Sequence, residues 1–166
     1  YGRHGKQVCE ELLKSNHPFL VIEPNEAKVE ELRQQQFYFI QGDATHDHVL
    51  LSAGIQQAKA AVVTYIENAL NVYTVLTARH LSPQLNIVTR ASDHTTEKKL
   101  MRAGANHVVM TEVIGGFYMA TLINQPNVVE FFRIISNMGE VAIHFKEVQY
   151  NQLRQQFRDK KIKDLS

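Results

Sequence analysis

Short apolar runs recur along this chain, and each is followed by a stretch whose apolar residues return at helical spacing. That alternation limits the fold more than any other feature. Strands that are apolar throughout must be covered on both faces, and helices on both sides of a parallel sheet cover them. The runs are Phe19-Leu20-Val21-Ile22, ending at Glu23, and Phe37-Tyr38-Phe39-Ile40, ending at Gly42-Asp43. Ala60-Ala61-Val62-Val63-Thr64, Asn86-Ile87-Val88-Thr89 and His107-Val108-Val109-Met110 follow. Between them the spacing predicts a helix from Pro24-Asn25 with Ala27, Val29 and Leu32 inward, and a short one over 48–53 closed by Gly54. A third spans 68–81, with Leu70, Val72, Val75, Leu76 and Ala78 as its stripe and Pro83 as its stop. A fourth spans 95–103 and ends at Gly104. The fold expected is α/β, a Rossmann-like doubly wound parallel sheet.

The chain opens on Tyr1-Gly2-Arg3-His4-Gly5, which reads as the second half of a dinucleotide-binding glycine turn. Such a turn follows a strand and opens a helix. The helix is legible in Val8, Leu12 and Leu13. The strand is expected upstream of residue 1, in the middle of a sheet of order 3-2-1-4-5-6. Without it, the exposed edges would favour aggregation. Gly2 would let the backbone approach a pyrophosphate, and Gly5 would let the helix pack closely on the sheet.

At 166 residues the chain suffices for one domain and the start of another. Apolar residues at 44% and charged residues at 21% are ordinary for a globular protein. A net charge of +1 argues against a nucleic-acid binder relying on a basic surface. The single cysteine, Cys9, excludes an intrachain disulfide. No apolar run approaches the roughly 20 residues of a membrane-spanning helix. Beyond Met110, residues 113–123 and 128–135 read as helices separated by Pro126. Residues 140–148 alternate like an edge strand, and 149–166 are polar.

The candidate binding residues gather where strands end. Glu23 comes about 20 residues after the glycine turn, where an acid accepts ribose hydroxyls and repels a 2′-phosphate; its plain alternative is a solvated strand end. Gly42-Asp43-Ala44-Thr45 leaves room for a flat base, with Asp43 to accept from an exocyclic amine. The same residues also suit an Asx turn with Thr45 or Asp47 capping the next helix. Arg3 and Arg90 carry guanidinium groups suited to phosphate oxygens, although Arg90 could equally pair with Asp93 or a neighbouring carboxylate. None of the histidines forms a metal-ligand or triad pattern, and Cys9 reads as packed rather than nucleophilic. A binding site is legible; a catalytic one is not.

Gly2-Arg3-x-Gly5, Glu23, Gly42-Asp43-Ala44-Thr45, Leu51-x-Ala53-Gly54-Ile55, Asn71, Arg90-Ala91 and Ala103-Gly104-Ala105-x-x-Val108 occur in this order. The succession resembles the RCK family, also called KTN or the Trk-type N-terminal domain, which regulates potassium conductance. The resemblance implies a regulatory domain on the cytoplasmic side of the membrane, without enzymatic activity. It implies binding of an adenine nucleotide, NAD(H) or AMP, ADP or ATP, at Gly2, Arg3, Gly5, Glu23, Asp43, Ala44, Thr45 and Arg90. Its partners would be a second copy in a homodimer, an octameric ring, and a potassium channel pore or Trk-type transporter. Residues 1–111 would form the Rossmann-like lobe and 112–148 a crossover and dimerisation segment containing Phe131 and Phe132. Residues 149–166 would lead toward a C-terminal lobe. Where some members hold calcium through carboxylates, this chain has Arg90 and Ser92, and the family's proline after the last strand is Thr111. The competing expectations are a Rossmann-type NAD-dependent oxidoreductase fragment and a separate subunit that docks to a transporter.

Overall fold

The structure is a computed structural model that describes residues 1–124. The chain divides into two compact units, Tyr1–Phe117 and Tyr118–Ser166. The expected helix over 128–135, the edge strand over 140–148 and the tail lie outside the described residues.

The described residues alternate as the sequence pattern requires: α1 (Arg3–Lys14), β1 (Val21–Glu23), α2 (Glu26–Gln34), β2 (Phe39–Gln41), α3 (Asp47–Ser52), β3 (Ala60–Val63), α4 (Asn68–Leu81), β4 (Asn86–Arg90), α5 (His94–Ala103), β5 (His107–Val109) and α6 (Thr111–Asn124), the last beginning in the first unit and ending in the second. Among the described residues every strand pairing is parallel. The strands form two sheets, β1-β2 and β3-β4-β5. Within each sheet the neighbours are those expected, and the full order 3-2-1-4-5-6 is not formed among the described residues. No ladder joins β1 to β3, and no strand among the described residues lies between them.

Local chemistry explains where elements begin and end. The Asn25 side chain accepts from the Lys28 amide at 3.2 Å and starts α2. Asp93 does the same for α5, accepting from the Thr96 amide at 2.8 Å. Each cap satisfies an amide that the helix leaves unpaired. Gly104 ends α5 with φ 106°, in the left-handed region that costs glycine little. Gly54, with φ 74°, follows α3 as expected.

Two expectations need correction. Thr45 and Asp47 do not cap α3; its N-cap is His46, which makes no side-chain cap bond. The Thr45 hydroxyl is drawn instead to the Asp43 carboxylate. The stripe assigned to α4 needs correction at Leu76, while Val75 and Ala78 are buried as expected and Val72 packs against the core. The buried residues of α4 are Asn71, Thr74, Val75 and Ala78, whereas Leu76 is 47% exposed.

The core brings Val75 and Ala78 of α4 against Val63 and Ile87 of the sheet and Leu100 of α5. Leu50 and Ile55, around the end of α3, join the same cluster, with Ile22 of β1 packed against it. Apolar packing therefore runs across both sheets, although no backbone ladder does.

Candidate functional site

Parallel strands deliver their carboxyl ends to one edge, and that edge is where open α/β sheets take ligands. Glu23 closes β1 and is 4% exposed, so it is not a solvated strand end. Its carboxylate accepts from the Asn25 amide at 2.9 Å and from the Tyr1 main-chain nitrogen, and Lys28 Nζ stands 3.9 Å away. Tyr1 directly precedes Gly2, so the acid faces the glycine turn.

Gly2 is the N-cap of α1, in extended backbone, and a Cβ there would meet nothing within 4 Å. Open space beside a helix N-terminus leaves room for an anionic group. Arg3 is exposed at the first helical position. Gly5 differs: a Cβ there would come 3.2 Å from Thr64 Oγ1, just past β3. Its lack of a side chain lets α1 approach β3, as its position in the motif predicts.

Asp43, just past β2, folds as the Asx turn. Its Oδ1 accepts from the Thr45 amide and the Thr45 hydroxyl, both at 2.9 Å, and from the Tyr65 hydroxyl at 3.3 Å. The Thr45 amide leads the effects that hold its carboxyl below the usual carboxylate range, assisted by both hydroxyls. The Tyr65 hydroxyl also accepts from the buried Ala44 amide at 3.2 Å. Burial, followed by the charge of Asp43, pushes the Tyr65 phenol up, which keeps its proton available for donation. The free loop side of Gly42 is limited, because a Cβ there would sit 3.0 Å from the Val49 methyl groups.

Arg90 ends β4 and is 8% exposed. Its guanidinium donates to Glu112 Oε1 at 2.6 Å, at the start of α6. The neighbouring carboxylate expected for Arg90 is therefore Glu112 and not Asp93, which is committed to capping α5. The Thr111 hydroxyl donates to the other oxygen of Glu112 at 2.8 Å and, with Arg90, lowers the Glu112 pKa.

Two contributors escaped the sequence reading. Tyr65 was not singled out, because a tyrosine after a strand carries no motif. Asn71 was noted only as part of a family pattern, yet its buried amide bonds to the main chain of both Tyr65 and Arg90. Its spacing from Thr74, Val75 and Ala78 is the available signal. Among the described residues no cluster of His, Cys, Asp and Glu could hold a metal ion. Burial raises the Cys9 thiol pKa, the opposite of an activated nucleophile.

Two parallel sheets, helices at alternate positions and a polar carboxyl rim define a Rossmann-like α/β domain. Residues 1–111 match the TrkA-N domain, and the chain belongs to that family. It is similar to potassium channel protein 1 of Methanocaldococcus jannaschii, 38% identical over 133 residues that cover 79% of this chain and 40% of that protein. The chain thus spans about two-fifths of that relative's length. Among solved structures, the TrkA-N domain of the inner membrane protein ybaL from Escherichia coli is 31% identical with a TM-score of 0.70, covering 74% of this chain and 90% of that one. The GsuK channel bound to NAD is 27% identical with a TM-score of 0.63, over 69% of this chain and 21% of that one.

Proposed function

We propose that this chain is the nucleotide-binding regulatory domain of a potassium channel or potassium transport system, acting on the cytoplasmic side of the membrane without catalysing a reaction. The observation that carries the reading is the enclosed Glu23 carboxylate, aimed at a glycine turn that opens a helix. Its acceptor oxygens suit the vicinal hydroxyls of an unphosphorylated ribose, and its charge disfavours a 2′-phosphate. Asp43 Oδ2 has no hydrogen-bond partner among the described residues, leaving it able to accept from an adenine amine. Gly2, Arg3 and Arg90 supply the phosphate end, Ala44 and Thr45 frame the base, and Gly5 keeps α1 close to the sheet. The NAD-bound channel among the similar structures supports the ligand class.

Regulation follows from unequal affinity. A nucleotide moves an equilibrium only if it binds one arrangement of paired domains more tightly than another. Arg90 gives the ligand rim a physical link to α6 through Glu112. Ile114 and Ile123 of α6 are exposed and suit contact with a second copy of this chain, and assembly into a ring would connect the domains to the pore.

Calorimetric titration of the full chain with NADH, NADPH and ATP, repeated with Glu23→Ala, tests the ligand assignment. Losing charge-assisted hydrogen bonds should weaken NADH and ATP by about tenfold to a hundredfold and narrow the preference over NADPH. Equal affinities in the two proteins would remove the ribose assignment.

A further inference from the structure

Asn71 is fully enclosed, with 0% exposure, in the first turns of α4. Its Oδ1 accepts from the Tyr65 amide at 3.0 Å. Its Nδ2 donates to the Tyr65 carbonyl at 3.0 Å and to the Arg90 carbonyl at 3.2 Å. All three bonds end on main-chain atoms of two residues at the carboxyl rim. A buried amide is costly unless it is paired, and this one is paired only with the rim.

Those two residues serve different ends of the crevice. Tyr65 reaches with its hydroxyl to Asp43 and Ala44 past β2, where the base is proposed to lie. Arg90 presents the guanidinium proposed for phosphate, already bonded to Glu112. We infer that Asn71 is a positioning residue for the nucleotide site: by holding Tyr65 and Arg90 on one side chain, it sets the distance between the base end and the phosphate end. The inference rests on the adenine-nucleotide reading of the rim. The chemistry at Asn71 is exacting. Aspartate keeps the shape but loses both donors and turns a charged oxygen toward two carbonyls, whereas leucine loses all three bonds.

The site should therefore favour ligands that carry base and phosphate together, and the AMP-to-adenosine affinity ratio reports that coupling. Calorimetry on the full chain compares wild type, Asn71→Asp and Tyr65→Phe. Asn71→Asp should lower the AMP-to-adenosine ratio by about tenfold, since the Arg90 main chain loses its anchor. Tyr65→Phe, which removes only the hydroxyl link to Asp43 and Ala44, should weaken both ligands by the same factor and keep the ratio. A folded Asn71→Asp protein with the wild-type ratio, however much its melting temperature falls, would show a purely structural asparagine and overturn the inference. If that variant does not fold, hydrogen exchange on the wild type decides. The Tyr65 amide should be protected more by AMP than by adenosine, and equal protection overturns the inference. Failure of wild type to bind either ligand would instead reject the nucleotide reading itself, and the inference with it.

Discussion

At the scale of single residues, the rim is built from side chains whose neighbours settle their charge. Asp43 shows this through pH. Its carboxyl is held below its ordinary range by the Thr45 amide and then by the Thr45 and Tyr65 hydroxyls, so the folded state binds its proton less readily than the unfolded chain. The stability it contributes is complete above the unfolded value of about 4 and is lost as pH falls through the lower folded value. Urea denaturation across pH should find Asp43→Asn less stable than wild type near neutrality, with the difference shrinking below about pH 4. A gap that persists into strong acid would mean that the charge is not what matters. The sequence located Glu23, Asp43 and Arg90 correctly at strand ends, because a parallel sheet sends every strand end to the same edge. It could not assign their partners. Glu112 reaches Arg90 only because β4 and β5 are neighbours and α6 follows at once, a relation set by packing and invisible in linear spacing.

Among the elements, types were legible and borders shifted where aromatic packing intervened. Phe19 and Phe37 were read as strand residues, yet they precede β1 and β2 and meet edge to face at 5.2 Å between ring centroids. Ala27 was counted inward in α2 but is exposed, while Val29 and Leu32 are buried as expected. In α4 the inward face is wider than hydrophobic counting gives, because it also takes in the polar Asn71 and Thr74; Asn71 is accommodated there by hydrogen bonds to the main chain. Helix ends were more readable, since capping is local. Gly104 carries the clearest consequence: a Cβ there would lie 2.8 Å from Arg79 Cγ, at φ 106°. The Arg79 side chain is itself anchored to the Gly104 carbonyl, donating from Nη2 at 2.7 Å and Nε at 3.0 Å. Gly104→Ala should lower unfolding free energy by about 1–3 kcal/mol in denaturant titration. An unchanged midpoint would show that the turn tolerates a side chain.

For the whole molecule, α6 and the spread of binding residues along the rim set the main expectations. The α6 helix has no buried residue along its length, and Ile114 and Ile123 are 58% and 83% exposed. Exposed apolar residues on α6 suit the dimer surface proposed above; Phe131 and Phe132, also placed in that surface, lie outside the described residues. Ile114→Asp combined with Ile123→Asp should convert a sedimenting dimer to a monomer, and a dimer that survives both changes would place the contact elsewhere. The placement of Glu23 at the end of β1 and Arg90 at the end of β4 bears on how the protein responds to its ligand. A nucleotide touching both Glu23 and Arg90 would tie the carboxyl end of β1 to that of β4. At a hundred times its dissociation constant it should add about 2.7 kcal/mol to unfolding by mass action, seen as a higher melting temperature. Adenosine, which lacks the phosphate proposed for Arg90, should give a smaller rise at the same concentration, and an equal rise would place the phosphate elsewhere.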